Sequence, residues 1–198
     1  MRKGLLWFIL ATNAFLLPVI YWAGRPALLH GTPAVDTPGL PVYGQVSTFQ
    51  LVRENGKGFG SAQMKGGMWV VNFMFTRCPN MCPLMSLKFA AMQNKLSSNT
   101  RLASFTVDPD HDDAATLKTY ALNYKAMENR WVFLTGENKT IRRVMAELHL
   151  SQPDDPNMHS LRFVLLDKML RVRGYYDSTD NASLAKIGPD TERLKREL

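Results

Sequence analysis

The chain has few cysteines: only two occur among its 198 residues, and they lie four positions apart as Cys78 and Cys82. A chain of this length can form a hydrophobic core without covalent support, which excludes a disulfide-rich scaffold. A bridge between such close neighbours would close a very small loop and contribute little chain-entropy stabilisation. The pair is therefore predicted to have a chemical role, with a simple local bridge as the alternative.

The chain also lacks repeats, low-complexity tracts and clusters of basic residues. Its 45% hydrophobic and 21% charged content is typical of a globular domain. Lys and Arg number 24 against 17 Asp and Glu, but they are scattered along the sequence. Without a basic patch that includes aromatic side chains, nucleic acid is not an expected partner. The formal net charge of +7 instead suits anionic lipid headgroups or an acidic protein.

Residues 4–24 contain no charged side chain, and the stretch is long enough to cross a hydrocarbon core. Residues 1–24 are therefore predicted to be an N-terminal transmembrane anchor, with a cleaved signal peptide and a buried core helix as alternatives. Arg2 and Lys3 precede the span and only Arg25 follows closely, which favours a cytoplasmic N-terminus. We thus expect a single pass through the inner membrane, with the remaining chain in the periplasm.

Residues 25–41 contain four prolines and two glycines, a composition that predicts an extended tether. The tether would hold the following domain, residues 42–198, close to the membrane while leaving it free to turn.

In that domain, short β-rich runs alternate with helical stretches. Residues 68–76 are nearly all apolar, as expected for a strand buried on both faces of a parallel sheet. Strand–helix alternation predicts parallel crossovers, and the last two strands form a hairpin. The predicted fold class is α/β, a thioredoxin-like mixed sheet with flanking helices. Predicted strands cover 46–52, 58–59, 68–76, 101–107, 131–134, 162–166 and 170–175, and predicted helices cover 83–96, 113–126, 141–150 and about 182 to the C-terminus.

The first of these helices follows the cysteines and has an apolar face formed by Leu84, Leu87, Ala91 and Leu96.

Both cysteines stand directly before a proline, in the segment from Thr76 to Pro83. A residue before proline is steered away from helical conformation, so both cysteines are expected in an extended turn, with Pro83 as the first helical residue. Both thiols would then lie near a helix N-terminus, where the dipole favours thiolate. Such thiolates could bind a soft metal or exchange disulfides.

The loop of residues 151–160 adds a third candidate group, because His159 stands immediately before a predicted strand. In a thioredoxin-like topology that strand lies next to the cysteine-bearing one, so the imidazole is expected to converge with Cys78 and Cys82. Two thiolates and one imidazole suit copper as Cu(I) or Cu(II). Zinc is the competing metal, although a structural zinc site usually takes a fourth protein ligand. On spacing alone, His159 could equally be a solvated or capping residue.

Four motifs follow one another in the order typical of the Sco/SenC family of copper chaperones for cytochrome c oxidase, which the chain resembles from about residue 46 to its final helix. They are F-x-F-T-x-C-P-x-x-C-P at Phe73–Pro83, V-D-P-x-x-D at Val107–Asp112, W-x-F-L-T-G at Trp131–Gly136 and H-S-x-x-F-x-L-x-D at His159–Asp167.

The resemblance implies a thioredoxin-like domain on one N-terminal membrane helix, binding one copper ion, as Cu(I) or Cu(II), through Cys78, Cys82 and His159. It also implies a partner, the copper-A subunit of cytochrome c oxidase, whose cysteines must be reduced before metal enters. Another copper chaperone or a thiol reductant is a further candidate partner. The chain is thus expected to be a metallochaperone rather than an enzyme.

Three other functions are alternatives to copper delivery. A thiol-disulfide oxidoreductase would use Cys78 and Cys82 as its redox-active pair and would leave His159 without a role. A redox or copper sensor would bind metal only to report it. A peroxiredoxin-like peroxidase is disfavoured, because Phe75 and Val71 occupy positions where that active site needs threonine and proline.

The remaining polar candidates have structural explanations. Asp112 is predicted to cap the helix that begins at Asp113, and Asp108 to shape a turn with the proline that follows it. His111 is expected to be a solvated loop residue, and His149 a packing or surface residue. The family commonly shows arginine at the position of His111 and Thr-Pro where this chain has Asp113-Ala114, so partner contacts of this loop are expected to differ. Two methionines next to the proposed ligands, Met81 and Met158, are expected to be packing or lid residues.

Overall fold

The computed structural model describes residues 39–150 and 161–197. The strands in these ranges are β1 (Gly44–Gln45), β2 (Gln50–Arg53), β3 (Gly58–Gly60), β4 (Met68–Met74), β5 (Thr100–Thr106), β6 (Trp131–Thr135), β7 (Arg162–Leu166) and β8 (Arg171–Asp177). The helices are α1 (Ser61–Met64), α2 (Met81–Met92), α3 (Ala114–Asn123), α4 (Asn138–Glu147), α5 (Asn181–Ala185) and α6 (Ile187–Glu197). The strands form one mixed sheet in the order β1-β8-β7-β4-β5-β6-β2-β3.

Strand β4 lies inside the sheet, and every one of its residues is buried, which confirms the interpretation of the apolar run. It pairs in parallel with β5 and antiparallel with β7. Side chains that alternate along β4 contribute to two hydrophobic clusters, one on each face of the sheet. Helix α4 packs into the first cluster, whereas α2, α3 and α6 pack into the second. The predicted mixed sheet with flanking helices is confirmed.

Both predicted hairpins are present, since β2 pairs antiparallel with β3 and β7 with β8. The final helix, predicted as continuous from about residue 182, is instead divided into α5 and α6. Pro189 is the third residue of α6. Proline has no amide hydrogen to donate. Because α6 begins as a new helix, Pro189 lies in its first turn, where no intrahelical donor is needed.

Helix α2 has a different buried face from the one formed by the predicted apolar stripe. Its buried residues are Cys82, Met85, Ser86 and Phe89. Leu84 and Leu87 point outwards, with 51% and 58% of their surface exposed. The prediction failed because α2 is apolar on two faces, so periodicity alone could not select the one that packs on the sheet.

The start of the described chain is fastened to the last helix. The buried Arg173 side chain donates hydrogen bonds to the carbonyl oxygens of Leu40 (2.6 Å) and Pro41 (3.1 Å). It also forms ion pairs with Asp167 and with Glu197 in α6. The backbone N–H of Leu40 donates to Glu197 at 2.7 Å. These contacts fix the point at which the chain enters the domain.

No helix within residues 39–150 and 161–197 is long and apolar enough to cross a membrane. The predicted anchor, residues 1–24, and the tether up to residue 38 lie outside the described residues.

Candidate metal centre

The two cysteines lie where β4 ends and α2 begins. Cys78 is part of the loop between these elements, whereas Cys82 is the second residue of α2. The backbone N–H of Cys82 points at the sulfur of Cys78, with 3.5 Å between nitrogen and sulfur, and both residues are reduced thiols. The extended conformation expected for Cys82 is therefore wrong, because the helix starts two residues before Pro83. A proline third in a helix still needs no amide donor.

The pKa values of the two thiols are shifted in opposite directions. For Cys78, partial burial acts to raise the pKa, but hydrogen bonds with the backbone of Cys82, Asn80 and Met81 outweigh it, so the pKa is lowered. Cys82 is fully buried, and this burial raises the pKa of its thiol to about 12. The predicted preference for thiolate near the helix N-terminus thus agrees with the environment of Cys78 and is wrong for Cys82, where desolvation prevails.

This difference predicts unequal alkylation of the reduced protein by iodoacetamide. Because the thiolate is the nucleophile, Cys78 should react at a pH below that needed for an ordinary cysteine, while Cys82 should react at least about tenfold more slowly at pH 8. Fragment-ion mass spectrometry of the peptide that contains both residues measures the site of the first adduct. Unfolding in urea is the control and should equalise the rates. Equal rates in the folded protein would contradict the assigned environments.

Asp112 holds the cysteine loop onto the sheet. It is fully buried and accepts hydrogen bonds from the backbone N–H of Thr76 (3.0 Å), the hydroxyl of Thr76 and the hydroxyl of Thr106 (2.5 Å). The capping role predicted for Asp112 belongs instead to Asp113, whose Oδ1 accepts from the N–H of Thr116 at 2.7 Å. The threonines were missed by sequence reasoning, although Thr76 is part of the cysteine motif.

Asp108 belongs to an exposed charged cluster beside the cysteine loop. Its carboxylate contacts Nη2 of Arg77 at 2.7 Å and Nδ1 of His111 at 2.9 Å. Slight burial acts to raise the pKa of Asp108, but the hydrogen bonds from His111 and Arg77 outweigh it and the pKa is lowered. His111 is exposed, as predicted. Such solvent-screened pairs contribute little stability.

His159 and Met158 lie outside the described residues, so the convergence of His159 with the two thiols stays a prediction. Within the described ranges, no group of three or more His, Cys, Asp or Glu side chains is arranged to hold a metal ion. The structure therefore brings together two of the three predicted ligands.

The fold and the motifs have clear relatives. A solved SCO1/SenC family lipoprotein from Bacillus anthracis str. Ames is 31% identical, with a TM-score of 0.67 over 77% of this chain and 95% of that one. BsSco, a member of the Sco family of cytochrome c oxidase assembly proteins with a disulfide switch, is 26% identical, with a TM-score of 0.67 over 79% of this chain and 98% of that one. A putative copper-binding protein of Stutzerimonas stutzeri is 28% identical over 155 residues, 76% of this chain and 68% of the relative.

These similarities confirm that the mixed α/β sheet is thioredoxin-like. The sequence profile of the SCO1/SenC family matches residues 42–190, which span the two cysteines, Asp112 and His159. Because this match covers far more than half of the sequence, the chain belongs to the SCO1/SenC family.

Proposed function

We propose that this protein binds one copper ion through Cys78, Cys82 and His159 and delivers it to the copper-A centre of a cytochrome c oxidase. The observation that best supports this function is the pair of neighbouring reduced thiols between β4 and the first turn of α2, one of them partly exposed and with a lowered pKa. The relatives agree with it, since one is named as copper-binding and another belongs to a family of oxidase assembly proteins.

The thiol pair has the chemistry that a soft cation needs. The thiolate of Cys78 is favoured by backbone N–H groups, which lower its pKa, so a first sulfur ligand is available at a lower pH than for an ordinary cysteine. The thiol of Cys82, with its pKa of about 12, gives up its proton only when a cation replaces it. Copper uptake should therefore release protons, and loss of copper should restore a neutral buried thiol. This coupling makes the bound copper removable.

The position of β7 supports His159 as the third ligand. β7 runs antiparallel to β4, with Val164 paired to Val71 and Leu166 to Trp69. The first residues of β7 therefore lie at the end of β4 that leads to the cysteines. His159 is two residues before Leu161, a separation of at most about 7 Å along the chain. An imidazole tethered so closely is well suited to complete the site.

The proposed location follows from the N-terminal sequence. Residues 1–24 would anchor the protein in the inner membrane, residues 25–41 would form the tether, and residues 42–198 would face the periplasm. The relative from Bacillus anthracis is a lipoprotein, which agrees with a location at a membrane. The copper-A subunit would be the principal partner, and another copper chaperone or a thiol reductant could supply the metal or the electrons.

Copper uptake is expected to depend on the redox state of the cysteine pair. A disulfide between Cys78 and Cys82 uses the sulfur lone pairs and the charge that copper requires. The reduced protein should retain one copper per chain after desalting, and the oxidised protein should retain none until it is reduced again. Metal analysis with thiol titration measures both quantities. Equal retention in the two states, or an empty protein with an intact dithiol, would contradict the proposed site.

The second candidate function is thiol-disulfide exchange with the cysteines of the oxidase subunit. It is favoured by the asymmetry of the pair, because an exposed acidic thiol next to a buried neutral one matches an attacking and a resolving cysteine. Copper delivery would require His159, whereas thiol exchange would not.

A further inference from the structure

The exposed face of α2 is unusually apolar for a surface helix. Leu84 and Leu87 are more than half exposed, and one turn further along the same face lies the exposed Ala91. We call Leu84, Leu87 and Ala91 the leucine stripe. Single exposed apolar residues are common, but neighbouring leucines at i and i+3 form a continuous patch.

The leucine stripe runs into a groove between α2 and the C-terminal helices. The groove has a volume of about 460 Å³, and Ala91 forms part of its wall. Met92 of α2, Leu184 of α5 and Ile187 of α6 supply apolar lining. The stripe and the groove together extend along about three turns of α2, which is the length of a short amphipathic segment.

The two charged side chains that line the groove are both basic. Lys88 and Lys95 line the groove, and Lys88 is held there because its ammonium group donates to the carbonyl oxygen of Ser178. From Asn55 to Val107 the sequence contains no Asp or Glu, so α2 has no carboxylate. The neighbouring Asp108 is already paired with Arg77. Asp177 interacts electrostatically with Lys88, so Lys95 is the better placed of the two lysines to attract a carboxylate of a partner.

The surface begins beside the thiols. Leu84 is two residues after Cys82 on the same helix, and Cys78 lies in the loop that precedes this helix. A protein bound along the leucine stripe would therefore have its edge next to Cys78, the thiol that remains partly accessible. A lipid bilayer at the same place would instead cover the thiol loop and obstruct transfer to a protein.

We propose that the leucine stripe and the adjoining groove are the docking surface for the protein that receives the copper, and that this protein presents apolar side chains flanked by carboxylates. The inference rests on the proposed function, because it assigns the recognition of the partner for the same thiol site. Leucines in the stripe supply the contact area, while Lys95 and Lys88 supply attraction and orientation.

The test uses the full-length chain in detergent and the purified, reduced copper-A subunit without its metal. The variant Leu84→Ser/Leu87→Ser should weaken the complex by about tenfold or more, since central apolar contacts dominate interface affinity. Lys95→Glu should weaken it about threefold or more and flatten its dependence on salt. Met169→Ser is the matched control, because Met169 is 54% exposed in the β7–β8 turn, at the opposite end of the strands, and should bind as the unchanged protein does.

A photo-reactive residue distinguishes the possible occupants. In Leu87→benzoylphenylalanine, irradiation should produce an adduct with the copper-A subunit, and the same residue at Met169 should not. The proposal would be overturned if adducts formed only with lipid, detergent or a second copy of this chain. It would also be overturned if the Leu84→Ser/Leu87→Ser variant bound the copper-A subunit with unchanged affinity. Copper retention is measured on every variant. If the variants retain copper normally and also bind the copper-A subunit normally, the docking surface is rejected but the proposed function is not. If the reduced protein without any substitution fails to retain copper, the proposed function itself is rejected.

Discussion

Replacement of His159 by alanine is expected to remove Cu(II) binding while part of the Cu(I) binding remains. Two thiolates are sufficient for a soft monovalent ion, but Cu(II) prefers a set that includes nitrogen. Because loss of an outer partner of a metal ligand already costs 10- to 100-fold in affinity, loss of the ligand itself should cost about 100-fold or more for Cu(II). Competition titrations with Cu(I) and Cu(II) chelators measure the two affinities.

His149→Asn is the control for this experiment. His149 has a φ of +51°, a left-handed conformation that asparagine tolerates better than alanine does. The His149→Asn substitution should leave the affinities for Cu(I) and Cu(II) unchanged. Equal weakening of Cu(I) and Cu(II), or an unaltered His159→Ala protein, would contradict the three-ligand site.

In cells, the same His159→Ala variant separates the two candidate functions. A copper chaperone should lose assembly of the copper-A oxidase about as severely as a Cys82→Ala strain, with partial rescue by added copper. A dithiol reductase should keep its activity, since both thiols remain. Normal oxidase assembly in the His159→Ala strain beside failure in the Cys82→Ala strain would favour thiol exchange as the essential activity.

Asp112→Ala is expected to lower the free energy of unfolding by about 2–4 kcal/mol, because three hydrogen-bond donors in a buried site lose their charged acceptor. Its carboxylate connects Thr76 in the cysteine loop to Thr106 at the end of β5. The loop should therefore loosen, and Cys78 should lose part of its enhanced reactivity. Urea unfolding and the alkylation rate of Cys78 measure the two effects.

Asp113→Ala is the adjacent control. Asp113 is the N-cap of α3 and is exposed, so its removal should lower the free energy of unfolding much less than removal of Asp112 and should leave Cys78 unaffected. If Asp112→Ala cost no more than Asp113→Ala, the anchoring role of Asp112 would be wrong.

The sequence predicted the sheet well because the relevant signals are local. The apolar run of β4, the alternation of strands and helices, and the final hairpin depend on residues close in the chain, and each is present in the structure. The four motifs likewise placed the chain in its family. Helix ends were less accurate, as in α4, which begins at Asn138 rather than Ile141. Short-range patterns leave such boundaries weakly defined.

Only the tertiary structure shows which of Asp112 and Asp113 caps helix α3. The two aspartates are adjacent, and either could cap a helix that starts near them. Only the approach of Thr76, 36 positions earlier in the chain, shows that Asp112 belongs to the cysteine loop. Local sequence rules contain no information about such a long-range contact.

The sequence by itself determined the thiol pair, the order of the longer elements and the family of this protein, whereas β1 and α1 were not predicted. The rotation of α2 about its axis was decided by tertiary packing, because both of its apolar faces could in principle cover the sheet. The sheet accepts the face with Cys82, Met85 and Phe89. That choice buries one thiol and raises its pKa, leaves Cys78 accessible, and turns Leu84 and Leu87 towards solvent.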